Sequence, residues 1–187
     1  AIVSATKYYS GHSDVMGGSL AVNKKVFEKV KSAERITGLR LGPDEAYLIT
    51  RGLRTLDVRL DKHRENTKEI LKFLSKFKKL KILYPYYKNS VNFRMWKKYY
   101  KGASGLMGLK IKCKNISSVR KFVNSLKLFG YGYSWGGFES LVLHQEQIEI
   151  GKRKFLKLKK DEHLVRLHIG LEDPSDLIAD LKQALKY

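Results

Sequence analysis

The sequence predicts an α/β chain: the end of one α/β unit, a long connecting helix, and a C-terminal α+β domain whose small, mostly antiparallel sheet carries helices on one face. Three observations carry this. Between Asp44 and Phe77, apolar residues recur at spacings of three, four and seven with little interruption. After residue 100, strand-like alternation and helix-like periodicity take turns. At the start, Ala1-Ile2-Val3 reads as the tail of a strand whose earlier residues precede this chain. Glycine is costly inside a helix, so Gly52 marks the joint and divides the chain into residues 1–52 and 53–187.

Bulk properties narrow the function classes. With 187 residues, 43% of them hydrophobic, the chain can bury a real core. Its single cysteine, Cys113, excludes an internal disulfide framework and fits a reducing, cytoplasmic compartment. No apolar run approaches the roughly 18–20 residues of a membrane helix. The N-terminus has neither Met nor a basic leader, so a signal peptide is not expected. The net charge of +20, from 38 Lys and Arg against 18 Asp and Glu, is the rival signal and suggests a polyanion partner. Its distribution argues otherwise. The lysines alternate with Leu, Phe and Ile, as on solvated faces of amphipathic elements, and no zinc-finger or RNP-like pattern accompanies them.

Taken in order, Gly17 to Val22 reads as a short buried strand leaving a glycine turn. Residues 23–37 form a polar helix with Val26, Val30 and Ala33 on one face. Asp44 is placed as the cap of the next helix. Leu80 to Leu83 is a strand, and the aromatic stretch to Lys101 is an irregular loop packed on the domain. Gly105 to Cys113 alternates as a strand. Residues 117–129 form a helix capped by Ser117 or Ser118, apolar at Val119, Phe122, Val123 and Leu126, and stopped by Gly130. Tyr131 to His144 and Leu164 to Ile169 supply further strands. The last helix is the clearest, with Asp173 as cap, Pro174 in first position and a stripe of Leu177, Ile178, Leu181 and Leu185.

Three strings carry chemistry. Ser4-Ala5-Thr6-Lys7, followed by Tyr8-Tyr9-Ser10-Gly11-His12-Ser13-Asp14, sets one lysine among short hydroxyls. Lysine can form a Schiff base with an aldehyde, and pyridoxal phosphate enzymes need one beside groups that hold a phosphate. Ser4 and Thr6, two apart on an extended segment, would project to one side. In Tyr133-Ser134-Trp135-Gly136-Gly137, a tryptophan beside paired glycines is either a bulged strand or a place of close backbone approach. In Leu164 to Asp173, Arg166 sits inside an apolar strand and requires an anion. That anion is either a substrate carboxylate, gripped by the guanidinium fork, or the side chain of Glu139 or Glu172. The five histidines form no metal-binding pattern, so no metal is expected.

These strings, with Asp44 to Leu56 between them, resemble the cystathionine synthase and lyase family, the pyridoxal-phosphate enzymes of cysteine and methionine metabolism, in order and approximate spacing. The resemblance runs from Lys7 nearly to the C-terminus. It implies the type I fold of pyridoxal-phosphate-dependent transferases in part, with residues 1–52 the remnant of the cofactor domain and 53–187 the small domain. It further implies Lys7 as the lysine that carries the cofactor and acts as catalytic base, Ser4 and Thr6 on its phosphate, and Arg166 on the substrate carboxylate. Tyr133, Ser134 and Trp135 lie beside that carboxylate. Tryptophan between the serine and the glycines is similar to the bacterial β-lyase branch, where γ-synthases and γ-lyases generally carry leucine. The implied reaction cleaves L-cystathionine to homocysteine, pyruvate and ammonia in methionine biosynthesis, in a homotetramer built from dimers. A γ-acting sibling, or a lysine-rich nucleic-acid-binding module without catalysis, is the alternative. The family's upstream half is not in this chain, so these residues alone are not expected to be a competent lyase.

Overall fold

The computed structural model describes residues 1–113, 115–145 and 156–186. It divides into two compact units, Ala1–Asp57 and Val58–Tyr187.

In the first unit, β1 (Ile2–Ser4) and β2 (Gly18–Leu20) form an antiparallel ribbon with Ile2 opposite Leu20. Residues 5–10 leave β1 as consecutive turns. The expected buried strand is exposed at all three β2 positions, because β1 is its only partner and no layer among the described residues of the unit covers it. Helix α1 (Lys24–Thr37) begins where the Asn23 side chain accepts the Val26 N–H and ends at Gly38, whose φ of 68° is the left-handed stop favoured by glycine. Of its expected face Val26 and Ala33 lie exposed and Val30 is partly covered, and none of its residues is buried. Helix α2 (Pro43–Leu53) starts at Gly42, with Pro43 in the first turn. Asp44 is therefore not the cap. It joins Glu45 in the first turn, where a carboxylate favours the positive end of the helix dipole.

One long helix was expected from Asp44 onward; there are two. Arg54 and Thr55 turn back on α2, Thr55 N–H donating to the Gly52 carbonyl at 3.2 Å, before α3 (Leu56–Leu74) begins. Gly52 itself is not at the break. It is buried against the lysine-bearing turn, where an added Cβ would overlap the backbone oxygens of Tyr9 and Ser10. Glycine is demanded there by close approach, not by a kink. The small core of this unit, Ala5, Val15 and Ile49 with Tyr9 and Leu48, closes around the same turn.

The second unit is a five-stranded sheet in the order β3-β4-β7-β6-β5, made of β3 (Leu80–Leu83), β4 (Leu106–Lys112), β5 (Gly130–Tyr131), β6 (Leu141–Gln145) and β7 (Glu162–His168). Every neighbouring pair is antiparallel except β5 with β6. The central strand β7 is paired on both edges, with Leu167 level with Met107 and Val142, and Val165 level with Leu109. Those side chains share a cluster with Ile70, Leu71 and Leu74 of α3, with Val119, Phe122 and Val123 of α5 (Ile116–Ser125), and with Leu177, Leu181 and Ala184 of α6 (Pro174–Ala184). Helices thus cover one face. Each large aliphatic side chain fully buried there contributes about 1.5–3 kcal/mol, so β7 is anchored far more firmly than any exposed strand. Alternation sends Leu164, Arg166 and His168 to its opposite face.

Local corrections have local causes. Asn115, not Ser117 or Ser118, caps α5 by accepting the Ser117 N–H at 2.9 Å. Gly130 does not stop that helix but opens β5. The aromatic stretch contains a short helix, α4 (Phe93–Tyr99), whose Trp96 stacks on Phe93 and meets Tyr86 edge-on at 4.7 Å. Asp173 caps α6 as expected, accepting from the Ser175 N–H. Asp180 of α6 is buried and accepts the Lys127 and Leu128 N–H groups at 2.8–3.0 Å, tying the connection after α5 to the last helix.

Gly52→Ala separates close approach from helix propensity. Alanine is the better helix former by about 1 kcal/mol, but the overlap with Tyr9 and Ser10 costs more, so a net loss of about 1–2 kcal/mol is expected in thermal or urea unfolding. A stabilised variant would show that the contact yields.

Candidate active site

The predicted residues fall into two clusters, one in each unit. In the first, Lys7 follows β1 in a turn built almost wholly by its own backbone. Lys7 N–H donates to the Ser4 carbonyl at 3.2 Å, the Lys7 carbonyl accepts from Gly11 N–H at 2.8 Å, and Ser10 N–H donates to the Ala5 carbonyl at 2.9 Å. Ala5 and Ser10 are each 1% exposed, and Gly11 is buried with φ 70°. The expectation that Ser4 and Thr6 project together from an extended segment does not hold, since the chain turns at Ala5. Ser4 is exposed at the end of β1. Thr6 Oγ1 instead accepts the Gly17 N–H at 2.9 Å and donates to the Gly17 carbonyl at 3.3 Å, closing the loop across eleven residues. His12 turns back, its Nδ1 2.6 Å from the Ser10 carbonyl.

The second cluster is built on β7. Arg166 leaves the face opposite the core, and its Nη2 donates to the carbonyls of Gly132 and Ser134 at 3.2 and 3.1 Å. Its guanidinium lies 5.5 Å from the centre of the Trp135 ring, within cation–π reach. Trp135 is therefore not in a bulged strand but in a loop, residues 132–140, laid beside β7. Glu172 is not the partner of Arg166. It is engaged by Ser140, whose N–H and hydroxyl donate to its two carboxylate oxygens at 2.6 and 2.9 Å. Among the described residues, no carboxylate pairs with Arg166. Burial lowers its pKa below the ordinary arginine value, which does not discharge it but raises the benefit of an incoming anion. Tyr133 stands apart, 73% exposed and outside these bonds.

Behind this cluster lies a polar layer that sequence reasoning passed over. His63 of α3 has Nδ1 2.7 Å from the Ile169 carbonyl, and Asn66 donates to the carbonyls of Gly170 and Glu172 at 3.0 and 2.7 Å. The His63 and His168 rings lie 5.2 Å apart, both fully buried. His168 Nε2 lies 3.1 Å from the Gly136 nitrogen and 3.2 Å from the Gly137 carbonyl, accepting from the first in one tautomer and donating to the second in the other. The available signal was parity: His168 follows Arg166 by two on the same strand. Burial, chiefly, pushes His168 down to about 4, with the charges of His63 and Arg166 acting the same way against the opposing effect of the Gly137 carbonyl. Burial likewise lowers His63. Among the described residues, no group of three or more His, Cys, Asp or Glu side chains is placed to hold a metal, and no helix is long and apolar enough to cross a membrane.

The chain thus combines a turn-borne lysine after a short strand with an arginine on the central strand of a helix-backed sheet, and its likeness to solved structures makes it part of the type I fold of pyridoxal-phosphate-dependent transferases. A crystal structure of cystathionine gamma synthase from Xanthomonas oryzae pv. oryzae superposes with a TM-score of 0.85 at 31% identity, covering 99% of this chain and 49% of that one. The chain belongs to the Cys/Met metabolism PLP-dependent enzyme family, whose model matches residues 1–186. Cystathionine beta-lyase of Bordetella avium is 38% identical over 186 residues, 98% of this chain and 46% of that protein. The L-alanine/L-glutamate racemase of Wolbachia pipientis wMel is 35% identical over 99% of this chain and 46% of its own length. The chain spans about half the length of these curated relatives.

The family's cofactor is pyridoxal 5'-phosphate, and the residues present fit it. Lys7 offers a primary amine and Ser4 an exposed hydroxyl. Thr6 is engaged with Gly17, yet an oxygen accepting the Gly17 N–H keeps a rotatable proton, and its 3.3 Å bond is weak enough to redirect toward a phosphate.

The buried histidines set a pH dependence of stability. The unfolded chain protonates His168 near 6.5, whereas the folded chain resists protonation to about 4. The unfolded state therefore binds more protons within that window. Stability is full above it, and falls as pH drops from 6.5 toward 4, by about 1.4 kcal/mol per pH unit for each such group. Unfolding midpoints measured across this range should fall less steeply in His168→Gln than in the parent; equal slopes would refute the assignment.

Proposed function

We propose that this chain supplies the lysine and the carboxylate anchor of a pyridoxal-phosphate-dependent carbon–sulfur β-lyase acting on L-cystathionine, with residues 1–52 belonging to the cofactor domain and 53–187 to the small domain. The observation that carries the reading is Arg166: a guanidinium fixed on a core strand, stacked toward Trp135, with no carboxylate partner among the described residues. An α-amino acid presents the matching anion, and a fork held by two backbone carbonyls can grip it with little reordering. Ser134 and Trp135 border the bound carboxylate, with Tyr133 at the exposed edge. Thr6 and Ser4 serve the phosphate. Lys7 holds the cofactor and, as its free amine, takes the proton from the substrate Cα. The cofactor, when bound, supplies an electron sink for the charge left at that carbon.

Proton removal at Cα is shared by β-elimination, γ-replacement and racemisation, so the lysine and the arginine do not choose among them. Trp135, in the place where the γ-acting branches carry leucine, favours β-elimination. The similarity to the Xanthomonas γ-synthase keeps γ-chemistry as the second reading. Pyruvate and homocysteine as products mark the first, 2-oxobutanoate the second. A cytoplasmic location and assembly as a dimer of dimers accompany the proposal, and residues 1–187 alone are expected not to turn over.

In the complete gene product, Arg166→Lys keeps the charge but loses the fork. KM for the amino acid should rise roughly 30-fold, matching the loss of about 2 kcal/mol from a charge-assisted pair, with kcat changed much less. An unchanged KM would remove Arg166 from the substrate. Borohydride reduction with pyridoxal phosphate should label Lys7 selectively, as read by peptide mass. Labelling scattered over many lysines, with salt-sensitive DNA binding, would favour the polyanion-binding module instead.

A further inference from the structure

We propose that His168 is a positioning residue: its ring holds the Gly136–Gly137 turn, and through it Trp135 and the Ser134 carbonyl, against Arg166. The proposal rests on the reading of Arg166 as the carboxylate anchor and deepens it.

The loop 132–140 is fastened to β7 and its continuation at alternate residues. The carbonyls of Gly132 and Ser134 take Arg166, Gly136 N–H meets His168, the Phe138 carbonyl takes the Leu171 N–H at 2.8 Å, and Ser140 binds Gly170 and Glu172. The loop thus runs like an extra strand, tied at its even-numbered residues along β7. Two of the five ties come from the Arg166 guanidinium, one joins backbone to backbone, and one joins Ser140 to Gly170 and Glu172. The middle tie alone depends on an imidazole nitrogen arriving from the strand. It falls where the loop reverses through a left-handed glycine, Gly136 with φ 85°. It also falls directly beside Trp135, between the ties that hold Arg166 and those that hold Ser140.

The ring itself has no freedom to drift. His168 is 1% exposed, it is level with Leu106 on β4 and Leu141 on β6, and the His63 ring stands 5.2 Å behind it. His63 is held in turn by its 2.7 Å bond to the Ile169 carbonyl, the next residue along the strand. The buried setting keeps the ring neutral at neutral pH, so Nε2 meets the turn either as acceptor from the Gly136 N–H or as donor to the Gly137 carbonyl. The chain of support runs from α3 through His63 and His168 to the glycine turn, and from there to the indole that faces the guanidinium.

A matched pair of variants tests this in the complete, cofactor-loaded protein, in a Trp96→Phe background that leaves Trp135 as its tryptophan within this chain. His168→Gln keeps an amide that can accept from Gly136 or donate to Gly137 near the Nε2 position; His168→Met has similar reach, no donor and no acceptor of comparable strength. Trp135 emission and its iodide quenching report loop position without any ligand, and KM against kcat reports the anchor. His168→Met should shift emission to longer wavelength, raise quenching and raise KM about tenfold, as for the loss of one hydrogen bond, with little change in kcat. His168→Gln should restore the emission and most of the KM. Equal behaviour of the two variants, or loss of folding in both, would overturn the proposal. An emission change confined to Met, alongside an unchanged KM in Arg166→Lys, would leave His168 as the support of the loop and refute only the anchor.

Discussion

A guanidinium on the central strand of a sheet imposes the condition that the second unit is built to meet. β7 is paired along both edges, and Val165, Leu167 and Ile169 lock it to the helices beneath. That anchorage permits the opposite face to carry a charge without the strand moving to hydrate it. A charge so held must still be solvated by something fixed. Two backbone carbonyls and an indole face supply part of that, which orders the 132–140 loop as a consequence. The arginine thereby holds the Gly132–Ser134 end of that loop, and His168 meets its paired glycines. Where an internal carboxylate would have neutralised it, Glu172 is drawn away by Ser140. That leaves Arg166 without a carboxylate among the described residues, as the proposed anchor requires.

The first unit solves a different problem with less material. Its core is only three buried side chains with two partly buried neighbours, so packing alone cannot set the position of Lys7. Backbone hydrogen bonds do it instead. The turn from Ala5 to Gly11 closes on itself, Thr6 clasps Gly17, and α2 presses its one side-chain-free position against the Tyr9 and Ser10 carbonyls. The main chain of Lys7 is thereby fixed at both its amide and its carbonyl. The apolar residues of α1 and of the β1–β2 ribbon remain exposed, since nothing among the described residues of this unit reaches them.

The net charge of +20 takes no part in either cluster apart from Lys7 and Arg166 themselves. Many of the other cations lie on exposed helix faces, as at Lys68 and Lys72 of α3 and Lys182 of α6, where a charge is solvated at little cost. The proposed function rests on where two cations sit, not on how many there are.

Several elements were legible from local chemistry because their determinants are local. Asp173-Pro174 begins a helix wherever it is followed by a periodic apolar stripe, and Val165, Leu167 and Ile169 alternate whatever they pack against. The family strings around Lys7, Trp135 and Arg166 were legible because site chemistry restricts residue types more tightly than packing does. What only the tertiary structure decided are matters of partnership. Gly52 reads as a joint in one dimension and as a contact surface in three. Thr6 reads as a lone hydroxyl in sequence, and in three dimensions it also clasps Gly17, eleven residues away. Glu172 and His168 are unremarkable letters beside Arg166 until Ser140 claims the one and Gly136 the other, across some thirty residues of chain. Hydrogen bonds and close approaches between distant residues leave no periodic trace in sequence, and in this chain they are what turns two recognisable motifs into shaped sites.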